Sequence, residues 1–179
     1  LYLASSFLQK VLDGHYTAEE IAERSSYLNL IIPDSYTISL ISLDYQRTAD
    51  IEGTWNEDLM FFVAENIANE LFQGGENTNS CQDGHGNLVV ISKAADPDMA
   101  SAQVAQYTKT MEEHLPVRCL VVQAGGEGYG MIAVVYETAV RKLKELEAGS
   151  SVIRELKLFI EDHYWQEDLS FQDAADHVG

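Results

Sequence analysis

The sequence predicts an α+β fold in which a four-stranded sheet is built in the order β-α-β-β-α-β and is followed by a further helix. Two observations support this prediction. Strand-length runs alternate with helix-length apolar stripes, the strands covering residues 36–44, 78–82, 87–92 and 117–123. In addition, the turn Asp83-Gly84-His85-Gly86 joins the second and third runs directly, as in a hairpin with positive-φ glycines.

Two strand–helix–strand units joined by a hairpin make the split pattern of a ferredoxin-like sandwich. The first strand, Tyr36 to Asp44, carries apolar residues on both sides, which suits a central strand. We expect the helices to cover one face of the sheet. No internal repeat is present.

Two helices are predicted ahead of the sheet. The first runs from Leu1 to Asp13 and is closed by Gly14, and the second opens at a capping box of Thr17 and Glu20 and reaches about Leu28. The first helix either continues an upstream coiled coil that pairs two subunits or packs on the domain. Its heptad record is too short to separate these alternatives.

Three helices belong to the sheet domain. A capping box at Thr54 opens the first of them, which ends near Gly74-Gly75, and Asp96-Pro97 opens the second. The third is expected from about Met131 to Glu147, with Leu146 facing inward. We therefore divide the chain into linker helices that could mediate dimerisation (1–33), a sheet domain (34–148) and a helical end (149–179), with residues 147–151 as the last linker.

Composition limits the classes of function. The 29 acidic and 11 basic side chains give a formal net charge of −18, which repels the phosphate backbone of nucleic acids. We expect no DNA contact through this fragment, and we take solubility as the main effect of the charge. No apolar run of eighteen residues and no signal peptide is present, and a start at Leu1 indicates an excerpt from a longer protein.

Neither metal nor disulfide chemistry is indicated. Cys81 and Cys119 both lie in strand-like runs, as expected for reduced, buried thiols in the cytoplasm. The five histidines show no ligand spacing, so we predict no metal site and no cofactor.

The last 29 residues, 151–179, predict an amphipathic helix, a tight turn and a shorter helix capped by Ser170. Phe159-Ile160-Glu161-Asp162-His163-Tyr164 and the phrase from Asp168 to Gly179 resemble the opening of an AraC-type helix-turn-helix domain. The resemblance implies that a recognition helix for the DNA major groove would come next. An ordinary amphipathic hairpin is the alternative.

The sheet domain is similar to the degenerate GGDEF-like domain of YesN/AraC-type transcription regulators. The matching phrases are Phe7 to Gly14, Phe62 to Leu71, Leu88 to Ile91 and Tyr136 to Val140, with the C-terminal phrase as the fifth. No phrase is decisive alone, and it is their order along nearly the whole chain that makes the resemblance.

An active member of the GGDEF family needs carboxylates at the end of the first strand and in the hairpin, where they hold two metal ions on a triphosphate. Asp44 occupies the first position. The hairpin reads Asp83-Gly84-His85-Gly86-Asn87-Leu88 where active members have Gly-Gly-Asp/Glu-Glu-Phe, so that a neutral Asn87 replaces a carboxylate or the carboxylate is missing. We therefore predict no catalytic residues and retain Asp44 and residues 83–87 only as candidates for a vestigial nucleotide pocket.

A glycine-rich segment, Ala124 to Gly130, lies between a strand and a helix, which is the context of a phosphate-binding loop. It lacks the Gly-Lys-Ser/Thr ending, and Glu127 would repel phosphate. We predict a flexible connection instead.

These observations lead to one main hypothesis and one alternative. The main hypothesis is a non-catalytic relay segment of an AraC-family regulator, cytoplasmic and homodimeric, which receives a signal from an upstream receiver or membrane-anchored sensor. The resemblance implies DNA as the partner of the full-length protein. The alternative is a nucleotide-binding sensor or residual cyclase-like enzyme.

Overall fold

The computed structural model describes residues 2–45, 55–73, 79–163 and 175–177. Its elements are, in chain order, α1 (Tyr2–Leu12), α2 (Ala18–Tyr27), β1 (Ser35–Asp44), α3 (Glu57–Gln73), β2 (Ser80–Gln82), β3 (Leu88–Lys93), α4 (Pro97–His114), β4 (Arg118–Glu127), a 3-10 turn (Tyr129–Met131) and α5 (Ile132–His163). The predicted order of strands and helices is therefore confirmed, and the fold is α+β. Thr54 itself lies outside the described residues, but the start predicted there was two residues too early, because α3 begins at Glu57 and the Asn56 side chain accepts from the Leu59 amide at 2.8 Å.

The four strands form one antiparallel sheet in the order β2-β3-β1-β4. β1 is the central strand, since its ten residues pair with β4 along their whole length and with β3 over Tyr36 to Ile41. Ile41 lies opposite Leu88, so the hairpin before β3 projects at the same end of the sheet as the last residues of β1.

Helices cover both faces of the sheet, so the expectation of one covered face was wrong. Alternate residues of β1 explain this, because Ile38 and Leu40 belong to one buried cluster and Ile41 to another. The first cluster is completed by α1, α2 and α5, and the second by α3 and α4. The sequence prediction did not assign a sheet contact to the two N-terminal helices.

The apolar stripe of α1 packs against the sheet domain of the same chain. Phe7, Leu8, Val11 and Leu12 are all at most 5% exposed in the first cluster. This favours the second of the two alternatives for α1, packing on the domain, because the same residues cannot also form a coiled-coil seam. α2 begins as predicted at Thr17, whose hydroxyl accepts a hydrogen bond from the Glu20 amide.

The glycine-rich segment is regular structure, so the predicted flexible connection was wrong. Residues 124–127 extend β4 and pair with the start of β1, where Glu127 lies opposite Ser35. Gly128 then adopts a φ of +79°, and the 3-10 turn leads into α5. Because glycine adopts a positive φ at low cost, the chain can turn at Gly128, and β4 ends just before it.

The predicted linker at 147–151 is helical, because α5 continues from Ile132 to His163. Ser150 and Ser151 lie within that helix, and Leu146 is 42% exposed rather than inward-facing. A glycine at position 149 costs helix stability of about 1 kcal/mol but does not forbid a helix.

The chain forms two compact units, residues 1–143 and 144–179. In the second unit, the Phe159 ring stacks on the His177 ring with centroids 4.5 Å apart. The turn and cap predicted between Gln166 and Asp173 lie outside the described residues.

In the described part of the chain, no helix has both the length and the apolar composition that crossing a membrane requires.

Candidate functional site

The hairpin between β2 and β3 is the first part of the candidate site. The Gly86 amide donates to the Asp83 carbonyl at 3.2 Å, and the Asp83 amide donates to the Asn87 carbonyl at 2.9 Å. Gly86 has a φ of +80°. A tight turn followed by a glycine in the left-handed region is a common three-residue hairpin loop. Gly86 is therefore explained by the backbone conformation of the turn, and it does not indicate a phosphate contact.

Asp83 is buried and its carboxylate is used fully by this hairpin and by α5. One oxygen, Oδ1, accepts from the amides of His85 at 2.9 Å and Asn87 at 2.8 Å. The other, Oδ2, accepts from the Tyr136 hydroxyl at 2.7 Å and the Asn87 side-chain amide at 3.2 Å. Four donors on two oxygens leave little capacity for a metal ion, so Asp83 is a structural residue that holds the loop.

Tyr136 is the residue that sequence reasoning missed, since it was named as the first residue of a matching phrase in the last helix and was not among the candidate site residues. Its hydroxyl ties α5 to the hairpin across 53 residues of sequence. Burial, and then the hydrogen bond to Asp83, raise the pKa of Tyr136, so the hydroxyl remains a donor. The sequence did contain a signal for this bond, because a tyrosine in the buried stripe of a helix usually needs a hydrogen-bond partner for its hydroxyl.

Asp44 is the second part of the candidate site. It is the last residue of β1, at the end of the sheet where the hairpin projects, as the sequence predicted. Its cross-strand neighbour is Arg118 of β4, an exposed cation directly opposite. Opposite charges at such a position stabilise a strand pair, which gives Asp44 a structural reason to be acidic.

The remaining candidates lie on the outside of the turn. Gly84, His85 and Gly86 are exposed, and Asn87 is half-buried because its side chain contacts Asp83. Among the described residues, no group of three or more His, Cys, Asp or Glu side chains could hold a metal ion.

Cys81 and Cys119 are buried free thiols. Burial is the main cause that raises the pKa of Cys81 to about 12 and the pKa of Cys119 to about 11.

Among solved structures, the chain is similar to the GGDEF domain of FimX from Pseudomonas aeruginosa, with 18% sequence identity and a TM-score of 0.44, over 71% of this chain and 90% of that domain. No protein-family model matches the sequence, and no curated protein matches it.

The glycine-rich segment contributes packing and not a nucleotide cradle. A Cβ at Gly126 would lie 2.5 Å from Val135 Cγ2 and 3.1 Å from the Tyr36 hydroxyl, so only glycine lets α5 approach the strand. That hydroxyl donates to the Gly128 carbonyl at 2.9 Å, and the Gly128 amide donates to Asp34. The Gly128 amide is thus committed to the chain itself, whereas a phosphate-binding loop needs such amides for its ligand.

Proposed function

We propose that the chain is a non-catalytic relay segment of an AraC-family DNA-binding regulator, in which residues 34–148 form a degenerate GGDEF-like domain of ferredoxin-like topology. The hairpin places β3 between β2 and β1, which is the arrangement of the split βαβ pattern. The proposal includes a cytoplasmic, homodimeric protein that reads a signal from an upstream receiver or membrane-anchored sensor. Its DNA contacts would lie in the full-length protein, outside this fragment.

The observation that carries the proposal is the connection from the hairpin into α5. The Tyr136 hydroxyl joins the Asp83 carboxylate, and α5 is helical without a break from that point to His163. A helix transmits rotation and register more faithfully than a flexible linker does. A change in hairpin packing would therefore bias the second unit through α5.

The hairpin chemistry supports a non-catalytic role. Two-metal phosphoryl chemistry needs carboxylates that are free to ligate. Here the Asp83 carboxylate accepts four hydrogen bonds from the chain, and position 87 carries an amide. Asp44 alone would give one carboxylate next to the Arg118 cation.

The second candidate function is a nucleotide-binding sensor. Asp44 and the hairpin lie at the same end of the sheet, as a site with two carboxylates would require, but position 87 lacks the second carboxylate. Metal-dependent nucleotide binding distinguishes this candidate from the relay.

Amide hydrogen exchange in the whole chain tests the relay. Tyr136→Phe removes one hydroxyl, and we expect faster exchange in residues 83–87 and also in residues 144–160 of α5. Tyr129→Phe is the control, because its hydroxyl donates only to the Ile32 carbonyl, at 3.3 Å. A change confined to the hairpin in Tyr136→Phe would show that α5 does not carry the coupling.

A further inference from the structure

The outer edge of β4 presents a row of outward-directed backbone groups. The Gly128 amide bonds the Asp34 carbonyl, and in an antiparallel pair every second residue then bonds the partner strand. Residues 120, 122, 124 and 126 therefore bond β1. The intervening ones point their amides and carbonyls away from the sheet, and these are Cys119, Val121, Gln123, Gly125 and Glu127.

One hydrogen bond confirms this assignment. Lys142 of α5 donates its Nζ to the Gln123 carbonyl at 2.9 Å, which requires that carbonyl to face outward. Among the described residues, no strand pairs with β4 on this side. No hydrogen bond from the described residues reaches the outward backbone groups of Val121 or Gly125.

The opposite edge of the sheet is protected more fully. β2 has only three residues, and its outward Gln82 carbonyl accepts from the Gln9 side chain of α1 at 2.6 Å. Natural sheets shorten or cover their edges because an open edge pairs with other chains. β4 has ten residues and a single described cap at its centre. A long edge that is left open in this way is suited to strand addition.

Charge determines what kind of strand would bind. Glu127 stands at one end of the row. At the other end Arg118 is exposed beside Cys119, and Glu112 is close enough to add to the rise of the Cys119 pKa, so the charges along the edge itself are mixed. The chain as a whole carries −18. A second copy would bring the same negative charge to the edge, whereas a basic strand is attracted to it.

We propose that the β4 edge binds an extended segment of a partner protein that is basic overall and has apolar residues at its centre. The central residues Leu120, Val121 and Val122 are half-buried, on alternating faces of the sheet. An added strand would cover them from the side. The exposed Lys142 side chain would leave the Gln123 carbonyl, which the incoming amide then bonds. This site is independent of the hairpin and of the proposed relay.

The test uses the whole chain and a fluorescent peptide, Lys-Val-Thr-Val-Thr-Val-Lys, with binding followed by anisotropy. Gly125→Pro removes one outward amide while residues 124 and 126 keep their bonds to β1. Gly125→Ala keeps the amide, and its Cβ meets nothing closer than the Tyr36 carbonyl at 3.7 Å. We expect Gly125→Pro to weaken binding about fivefold to tenfold, the effect of one hydrogen bond and its neighbour, and Gly125→Ala to leave it unchanged.

A second arm does not depend on the folding of a variant. With the wild-type chain, the same peptide N-methylated on alternate residues loses its donors and should not bind, and a version with Glu for Lys should bind more weakly. Added salt should weaken binding of the basic peptide. Equal binding of the N-methylated peptide, or of Gly125→Pro, would overturn strand addition. A wild-type dimer that Gly125→Pro dissociates would overturn the choice of a basic partner in favour of a second copy.

Discussion

Replacing Gly126 by alanine tests whether the glycine-rich segment is a packing element. The new Cβ would stand 2.5 Å from Val135 Cγ2, 3.1 Å from the Tyr36 hydroxyl and 3.3 Å from Tyr36 Cε2. Both neighbours are buried between α5 and the sheet, so neither can swing into solvent. Overpacking of this kind costs about 1–3 kcal/mol, against about 0.4–1 kcal/mol gained from the stiffer unfolded chain.

We therefore expect Gly126→Ala to lower the free energy of unfolding by about 1–2 kcal/mol, since the steric overlap exceeds the entropy gain. For a chain of this size the Tm would fall by roughly 2–8 °C. Urea and thermal unfolding followed by circular dichroism measure both quantities. Gly125→Ala is the matched control, because its Cβ has ordinary contact distances, and it should stay within about 0.5 kcal/mol of wild type.

A double-mutant cycle identifies the colliding group. Val135→Ala removes Cγ2, so Gly126→Ala should cost less in that background than in the wild-type chain. Equal costs in the two backgrounds, or an unchanged stability of Gly126→Ala, would refute the steric argument. The glycine would then be serving flexibility, as the sequence suggested.

Three further predictions concern the hairpin and the buried thiols. Tyr136→Phe should lose about 2 kcal/mol in urea unfolding because a buried carboxylate loses a donor, whereas Tyr129→Phe should lose about 1 kcal/mol or less. Gly86→Ala, at φ +80°, should cost about 1 kcal/mol or more, while Gly84→Ala, with nothing within 4 Å, should be nearly neutral. The contribution of the Cys81 thiol to stability should be fully present below pH 9 and be lost as the pH rises towards about 12, because the unfolded chain releases the Cys81 proton first. In Cys81→Ala that alkaline loss should be smaller.

The sequence predicted the strands well because hydrophobic alternation and turn residues are local signals. Asp83-Gly84-His85-Gly86 specified the hairpin, and Asp96 capped α4 as predicted. Helix ends were less predictable. Gly149 and two serines suggested a linker, yet α5 continues through them, since helix propensity is a weak effect that neighbouring residues override.

Contacts between distant residues were not accessible from the sequence. Asp83 was identified as a turn residue, but its bond to Tyr136 depends on α5 packing over the sheet. Likewise, the stripe of α1 fitted both a coiled coil and a sheet contact, and only the fold shows Leu8 and Leu12 buried against β-strand residues. Gly126 illustrates the same limit, because a glycine required by close packing looks identical in sequence to a flexible one.

Calorimetric titration of the chain with GTP and with cyclic dinucleotides, with and without Mg²⁺, tests the central claim most directly. We expect no metal-dependent binding heat for any of these ligands. The Asp83 carboxylate already accepts hydrogen bonds from the chain, and position 87 carries an amide that does not replace a carboxylate as a metal ligand. Tight, Mg²⁺-dependent GTP binding that Asp44→Ala abolishes would contradict the relay account and establish a working nucleotide site.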